Sequence, residues 1–341
     1  MRLFSLLYFS LFTFSLVVGQ DVHWAKSIGG TSREQIYDIT SDINGNVYTT
    51  GYFWGTVDFD PDDTGVANLT SNGNGDIFIS KLNSNGEYQW AINLGSTSSS
   101  EGRSITADND GYVYITGSFS GGVDFDFSSN VASIYGNEDV FVLKLDSNGN
   151  YIWAKNIYGG GSAYGYSIDV DKSGNVYTTG RFEYTADFDA SSSVVNITSA
   201  GSGDAFILKL DKDGNYQWAK TIGGPSAEWG YGIALDDSNY VYTTGRFQST
   251  CDFDPGTDTF EITSQFAADA YVSKLDSNGN FVWAKSFAGN KGSIGNSILV
   301  DSNYDVYTVG SFSGSAEYTP STRVPLRIIS ASTSDALNAA A

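Results

Sequence analysis

The sequence predicts an all-β fold built from five copies of one unit, and three observations predict it. Short segments rich in β-branched and aromatic residues recur along the chain, no segment shows a helical period with caps, and one spacing repeats throughout. The spacing is clearest in a tryptophan column, whose members lie 66, 63, 65 and 65 residues apart: Trp24, Trp90, Trp153, Trp218 and Trp283. A fixed period of this length is typical of repeat architectures.

Four further columns keep the same four spacings, which composition alone does not produce. They are an aspartate column (Asp42, Asp108, Asp171, Asp236, Asp301), a tyrosine column (Tyr48, Tyr114, Tyr177, Tyr242, Tyr307), a glycine column (Gly51, Gly117, Gly180, Gly245, Gly310) and a phenylalanine column (Phe53, Phe119, Phe182, Phe247, Phe312). A later aspartate column (Asp76, Asp139, Asp204, Asp269, Asp335) shows that length varies only in the segment before it. That segment is therefore predicted to be a surface loop, where insertions are tolerated.

Each unit reads as four short strands. In the third unit these are Tyr166–Asp171, Asn175–Phe182, Asp204–Leu210 and Tyr216–Ile222. Asp171 with Gly174, and Asp211 with Gly214, stand between neighbouring strands. An aspartate that caps a turn, followed by a glycine at positive φ, is typical of a hairpin connection.

The strands are apolar on both faces, which favours a β-propeller over a sheet with one wet face. The segment Val47–Phe53 (VYTTGYF) does not alternate cleanly between apolar and polar residues. Propeller blades stack face to face, so both faces of each blade are buried. The repeated tryptophan is then predicted to lie in the core between blades, and the repeated glycine to mark a close approach of backbones.

The order of strands suggests how the propeller closes. Four units are complete, whereas the fifth has its first two strands and begins a third at Asp335 without a Trp-Ala-Lys strand. The segment Val22–Lys26 contains that element, so the N-terminal strand is predicted to complete the last blade and remove an open edge. The alternative is that the chain is a fragment of a larger propeller, for example one with seven blades.

The N-terminus and the composition indicate an exported domain. Arg2, the apolar run Leu3–Val18 and the residues Gly19 and Gln20 have the pattern of a signal peptide. We therefore expect a signal peptide over 1–20 and one propeller domain over 21–341, secreted or at the cell surface, with no transmembrane segment and a monomeric state. The net charge of −21 excludes nucleic acid as a partner, because it repels phosphate backbones. Cys251, the single cysteine, occupies a column of small apolar residues and is predicted to be buried.

The repeat resembles the SBBP family of β-propeller repeats, which occurs in exported and cell-surface proteins. The resemblance rests on Gly159-Gly160 and Gly223-Gly224 after the tryptophan strand, on Asp171–Gly180 and on Asp204–Leu210, and it covers nearly all of residues 22–338. It implies the propeller fold but no catalytic residues, because the family is defined by its architecture. The family name implies seven blades, so the larger propeller stays open as an alternative.

An acidic segment follows the second strand of four units and raises the question of a metal. Two carboxylates at i and i+2 of an extended segment point to the same side, and Ca²⁺ prefers several oxygen ligands at one point. The candidate ligands are Asp58, Asp60, Asp62, Asp124, Asp126, Asp187, Asp189, Asp252 and Asp254. The favoured alternative is that these aspartates cap turns while the intervening phenylalanine anchors the loop.

Residues that break the repeat are the best candidates for ligand contact, because function must differ from the copied scaffold. Trp54, Trp229, Arg181 and Arg246 are the candidates, with Glu228 beside them. Trp54 and Trp229 fall in predicted loops, where exposed tryptophan suits stacking on sugars or protein hot spots. Local packing is the alternative.

Two hypotheses of function follow. The first is a non-enzymatic extracellular binding or scaffold propeller that presents loops to a protein or glycan, with Ca²⁺ as a possible stabilising ion. The second is a hydrolase or lyase acting on polysaccharide through an acidic site on the propeller face or channel. With one histidine, no serine or metal-histidine catalytic cluster can be assembled. A cluster of unrepeated carboxylates would favour the enzyme.

Overall fold

The fold is described from a computed structural model, over residues 22–62, 64–95, 98–128, 130–288, 291–313 and, for the backbone alone, 326–330. These residues form 26 strands and contain no helix, so nothing in this part of the chain forms a helix able to cross a membrane. In chain order the strands are β1 (Gly29–Gly30), β2 (Glu34–Ser41), β3 (Val47–Phe53), β4 (Thr56–Asp58), β5 (Asn68–Thr70), β6 (Asp76–Leu82), β7 (Tyr88–Leu94), β8 (Ser100–Ala107), β9 (Val113–Asp124), β10 (Ser133–Leu145), β11 (Tyr151–Gly159), β12 (Ala163–Val170), β13 (Val176–Phe182), β14 (Thr185–Asp187), β15 (Asn196–Thr198), β16 (Asp204–Leu210), β17 (Tyr216–Ile222), β18 (Trp229–Leu235), β19 (Val241–Phe247), β20 (Thr250–Asp252), β21 (Glu261–Thr263), β22 (Asp269–Leu275), β23 (Phe281–Phe287), β24 (Ser293–Val300), β25 (Val306–Phe312) and β26 (Leu326–Ser330).

Four antiparallel sheets of four strands follow one another, as the repeat predicts. The first sheet has the order β2-β3-β6-β7, the second β8-β9-β10-β11, the third β12-β13-β16-β17 and the fourth β18-β19-β22-β23. In the second sheet β11 also pairs with β14, so that β14 and β15 extend this sheet to six strands. A fifth sheet has the order β24-β25-β26. The first strand of each sheet packs against the second strand of the sheet before it, so consecutive sheets stack face to face. This is the β-propeller arrangement.

The aspartate and tyrosine columns together form the turn between the first two strands of each sheet. In the third sheet, Asp171 Oδ1 accepts the backbone N–H groups of Ser173 and Asn175 at 2.9 and 3.0 Å, while Asp171 Oδ2 accepts the hydroxyl of Tyr177 at 3.3 Å. The equivalent tyrosine hydroxyls in the other four sheets bond their aspartates in the same way. One side chain thus satisfies two turn donors and fixes a buried ring, which explains why both columns repeat.

The tryptophan column joins neighbouring sheets. Trp153 is 8% exposed and its indole Nε1 donates to the carbonyl of Lys212, in a turn of the next sheet. Lys144, from the same sheet as Trp153, donates to that same carbonyl, and its ammonium lies over the ring of Tyr114. The prediction that the tryptophan lies between blades is confirmed. The lysines equivalent to Lys144 in the first and third sheets, Lys81 and Lys209, also donate to turn carbonyls of the next sheet.

The Asp-Phe-Asp segments form small hairpins that the sequence did not predict. In three units a three-residue strand after the second strand of the sheet pairs with another in the variable loop: β4 with β5, β14 with β15, and β20 with β21. In the second unit the same pairing is made by the extended ends of β9 and β10. The central phenylalanine packs inward, as expected. Phe188, for example, meets Phe182 edge to face with ring centroids 5.1 Å apart.

The repeated glycine lies where two backbones come too close for a side chain. A Cβ at Gly180 would be 1.8 Å from the carbonyl oxygen of Tyr164, on the adjacent strand β12. The cause is a bulge in the first strand, at which the register between the first two strands shifts. The predicted close approach is confirmed.

The two ends of the series differ from its interior. Residues 22–28 form no strand, yet Trp24 Nε1 donates to the carbonyl of Ser84 in the first sheet at 3.0 Å, and Gly29 and Gly30 pair with β4. The outer strand β11 contacts the third sheet in the same way. The N-terminal segment therefore lies against the first sheet as the outer strand of a preceding blade would.

The last sheet departs from the predicted strand order. Its third strand is β26, which pairs with β25 in parallel, whereas an antiparallel strand beginning at Asp335 was predicted. The segment Leu326–Ser330 (LRIIS) is rich in β-branched residues and occupies the edge of β25 where the third strand lies in other sheets. Asp335 and the signal peptide lie outside the described residues. Closure by the N-terminal strand, and five as the number of blades, stay predictions.

Candidate functional site

The candidate calcium ligands are engaged as turn caps. Asp187 Oδ1 accepts the backbone N–H groups of Asp189 and Val195 at 3.1 and 2.8 Å, and Asp189 Oδ1 accepts that of Ser191 at 3.0 Å. The same bonds recur at the other candidates: Asp58, Asp60, Asp124, Asp126, Asp252 and Asp254. Asp62 instead pairs with Lys26 at 2.5 Å.

The geometry of these aspartates fits a structural role better than a metal site. One oxygen of each capping carboxylate is already occupied by backbone donors. No group of three or more metal-ligating side chains comes together within the described ranges. Binding of Ca²⁺ by these loops stays a prediction.

The four ligand-contact candidates all lie at one end of the sheets, where first strands begin and second strands end. Arg181 and Arg246 lie near the ends of the second strands β13 and β19. Trp229 is the first residue of strand β18, where a loop was predicted. Trp54 lies in the turn after β3 and is 43% exposed, in the repeat position of Glu183 and Gln248. The structure therefore brings candidates from separate units to one end of the fold.

Three of the candidates are in contact. The guanidinium of Arg246 lies 3.7 Å from the ring centroid of Trp229, and that of Arg181, from the preceding sheet, lies 4.8 Å from it. Trp229 is thus flanked by two cations, each of which is attracted to the electron-rich face of its ring. Trp54 lies two sheets before Arg181 and three sheets before Trp229 and Arg246.

A second set of repeat-breaking residues, which sequence analysis missed, lies beside them. The bulge in each first strand projects one extra residue, and these residues differ from sheet to sheet: Tyr37, Arg103, Tyr166, Tyr231 and Asn296. We call the five the bulge residues. A bulge re-aims a side chain and is common next to binding sites.

Four of the bulge residues contact one another across consecutive sheets: Tyr37, Arg103, Tyr166 and Tyr231. Arg103 lies 4.4 Å from the ring centroid of Tyr37 in the sheet before and 5.9 Å from that of Tyr166 in the sheet after. The rings of Tyr166 and Tyr231 are 5.1 Å apart. Because the first strands pack against each other in sequence, these side chains form one continuous aromatic and cationic surface along the inner strands. We call the bulge residues, with Trp229, Arg181 and Arg246, the inner-strand surface.

The surface concentrates arginines in an acidic protein. Of the seven arginines, at positions 2, 33, 103, 181, 246, 323 and 327, three belong to the inner-strand surface and Arg33 lies 5.5 Å from the ring centroid of Tyr52 beside it. Two of the three are paired: Arg103 with Glu101, and Arg181 with Glu183 at 2.8 Å. Burial raises the pKa of Tyr166 to about 12, so its hydroxyl stays protonated at neutral pH.

Glu228 is buried near this surface but has a repeat counterpart. Its Oε2 accepts the backbone N–H of Gly224 at 3.1 Å, as Glu34 Oε1 accepts that of Gly30 at 2.7 Å in the same repeat position. Burial, together with the charge of Asp204, raises the pKa of Glu228 to about 7. Its role in fixing the Gly-Gly turn is shared with Glu34, whereas the other three units have neutral residues in this position: Ser100, Ala163 and Ser293.

The carboxylates of this region are engaged by other groups, and the hypothesis of a polysaccharide-acting enzyme stays a prediction. Glu101 and Glu183 are paired with arginines, and Glu228 supports a turn. The bulge residues themselves could have been found from sequence, because the column five positions before the repeated aspartate is the one that changes from tyrosine to arginine to asparagine. An aligned column that varies inside a conserved frame is the signal.

Comparison with known proteins assigns the repeat. A family model described as SBBP β-propeller repeat matches residues 89–118 and 217–246. Both segments run from the tryptophan strand of one sheet through the first two strands of the next. Two segments of the chain therefore match the SBBP β-propeller repeat, which confirms the resemblance seen in the sequence.

Two relatives share similarity over much of the chain. A WD repeat-containing protein of Acanthamoeba polyphaga mimivirus is 25% identical over 85% of this chain and 25% of its own length. The regulatory protein FlaEY of Caulobacter vibrioides is 29% identical over 55% of this chain and 19% of its own length. The chain thus spans a quarter or less of the relatives that it matches.

Solved structures show distant likeness. The WD40 domain of Neurospora crassa Pan2 is 11% identical, with a TM-score of 0.36 over 78% of this chain and 68% of that domain. A protein of unknown function from Bacteroides caccae is also 11% identical, with a TM-score of 0.31 over 71% of this chain and 93% of its own.

Proposed function

We propose that this chain is a non-enzymatic extracellular binding module that holds a protein or glycan partner on its inner-strand surface. One observation supports the proposal above the others: side chains that break the repeat converge on one surface while the frame around them is copied. A copied frame with one variable surface is how rigid repeat proteins present a binding site. The signal-like N-terminus supports export.

The chemistry of the surface suits recognition. Tyrosine, tryptophan and arginine are the residues enriched at binding hot spots, because each offers a large apolar contact with a polar end. Bulge residues held by the packing of two strands lose little conformational entropy on binding. The ion pairs of Arg103 and Arg181 hold their guanidinium groups in fixed positions.

A comparison of two pairs of variants tests the proposal. Protein pull-down and glycan-array binding would be measured for the mature chain, for Tyr37→Ser and Arg103→Gln on the surface, and for Tyr158→Ser and Lys172→Gln away from it. Tyr158 is 63% exposed on an outer strand, and Lys172 forms an exposed pair with Asp237. We expect captured partners to be lost from the first pair and kept by the second. Equal loss, or no loss, in both pairs would refute the proposal.

A further inference from the structure

One junction between sheets departs from the others in its charges. At the junction of the third and fourth sheets, Arg181 pairs with Glu183. The buried Glu228 also lies near Arg181, whose positive charge offsets a part of the rise in the pKa of Glu228. The same repeat positions at the junction of the fourth and fifth sheets hold Arg246, Gln248 and Ser293. Both carboxylates are therefore replaced by neutral side chains while the arginine is kept.

Arg246 is left without an acidic partner. Within the described ranges it forms no ion pair, and its buried Nε has no hydrogen-bond partner. Its guanidinium group instead lies against the ring of Trp229. An unpaired, half-buried guanidinium is costly to desolvate, and a bound carboxylate would satisfy it through two parallel hydrogen bonds.

A cleft opens at this position. It has a volume of about 230 Å³, and Arg246, Gln248, Lys291, Ser293, Ser311 and Phe312 contribute to its lining. No carboxylate lines it within the described part of the chain, although the chain has 39 acidic residues and 18 basic ones. Two cations with no acid among these lining residues, in a protein of charge −21, mark a local site for an anion.

The rest of the lining indicates what carries the anion. Gln248, Ser311 and Ser313 offer amide and hydroxyl groups, and Phe312 offers an aromatic ring. The third serine of the lining, Ser293, donates its hydroxyl to the carbonyl of Phe287. This mixture matches a sugar ring, which presents hydroxyls on its edge and C–H groups on its face. The volume admits one such ring with its carboxylate and is small for a larger ligand.

We propose that the cleft between the fourth and fifth sheets binds an acidic sugar residue of the uronate class, with its carboxylate on Arg246 and Lys291. The proposal rests on the proposed function, since it names the chemistry of a ligand at one end of the inner-strand surface. Gln248 and Ser293 take part because their neutral side chains leave Arg246 for the ligand.

The test is a titration of the mature chain with galacturonate, galactose and acetate, followed by ligand-observed NMR. We expect galacturonate to bind at least about tenfold more tightly than galactose or acetate, because both the carboxylate and the ring are recognised. Arg246→Gln removes the cation, and Gln248→Glu supplies the internal carboxylate that Arg181 has. Each should weaken galacturonate binding at least about tenfold, while Lys172→Gln leaves it unchanged.

Two outcomes would overturn the inference. Equal affinity for galactose would show that the carboxylate is not read, and unchanged affinity in Gln248→Glu would show that Arg246 is not the anchor. Thermal unfolding of each variant establishes that it is folded. If galacturonate does not bind but partners are still captured through Tyr37 and Arg103, this inference fails and the proposed function stands.

Discussion

The indole Nε1 of Trp153 lies 3.2 Å from the carbonyl oxygen of Lys212, 59 residues further along the chain and in the next sheet. Trp90 and Trp218 make the same bond to the sheets that follow them, at 3.3 and 3.2 Å. One tryptophan per unit thus fastens a turn of the neighbouring blade. Stability of the stack should depend on this contact more than on any exposed aromatic residue.

Replacing Trp153 should separate its packing from its hydrogen bond. Trp153→Ala should lower the free energy of unfolding by about 3–5 kcal/mol, because it leaves a cavity between sheets. Trp153→Phe keeps much of the packing and loses the bond, at a cost of about 1 kcal/mol plus some lost area. Urea denaturation measures both, with Trp54→Ala as the control, since Trp54 is 43% exposed. A loss at Trp54 as large as that at Trp153 would contradict the role of the junction.

The pH dependence of stability should carry the signature of Glu228. Its pKa is raised to about 7 in the fold by burial and by Asp204, against 4.5 for an ordinary glutamate. The folded state therefore binds a proton that the unfolded state releases, so stability falls as the pH rises from about 4.5 to above 7. Glu228→Gln removes this loss and should be more stable than the natural chain by about 1–3 kcal/mol at pH 8, with no such gain near pH 4.5.

Glu34→Gln is the matched control for this effect. Glu34 bonds Gly30 as Glu228 bonds Gly224, but it is not fully buried. Unfolding curves between pH 4.5 and 8 should show a pH-dependent gain for Glu228→Gln alone. A gain of the same size at every pH would mean that the substitution acts through packing rather than through ionisation.

The frame of the fold could be predicted from sequence, because the repeat records it five times. The predicted strands Asp204–Leu210 and Tyr216–Ile222 coincide with β16 and β17. The first strand of that unit begins at Ala163, three residues before the prediction, because the bulge at Tyr166 breaks the alternation that marks a strand. The bulge residues of the inner-strand surface lie where this alternation is broken. For this reason sequence analysis identified Arg181 and Trp229 but missed Tyr166.

Substitution at Asp187 should distinguish turn capping from calcium binding. Asp187→Ala removes the carboxylate oxygen that accepts two backbone N–H groups, so it should lower the free energy of unfolding by about 1–2 kcal/mol. Asp187→Asn keeps an acceptor oxygen and should lower it by less than about 0.5 kcal/mol. EDTA should leave the melting temperature of the natural chain unchanged. A rise in melting temperature with Ca²⁺ that disappears in Asp187→Asn would instead establish a calcium site. Thermal unfolding with and without the ion measures both.

The exposed faces at the two ends of the stack should meet. Ile39 is 64% exposed, whereas its equivalents in the other four sheets, Ile105, Ile168, Ile233 and Ile298, are 3–7% exposed. At interior junctions a threonine of one sheet packs on a glycine of the next, as Thr116 does on Gly165. The residues in these positions at the ends are Val309 and Ile36, which are 45% and 48% exposed.

Both end residues are therefore apolar and larger than their interior counterparts. They suit a closing junction whose geometry differs from that of the interior junctions. The double variant Ile36→Cys, Val309→Cys should form an intramolecular disulfide under mild oxidation, because closure would bring the two Cβ atoms within the short range that a disulfide needs. Cys251 is buried and does not compete. Non-reducing electrophoresis separates the outcomes: a faster-migrating monomer supports closure, whereas a cross-linked dimer, or free thiols after oxidation, would mean that the end faces do not meet within one chain.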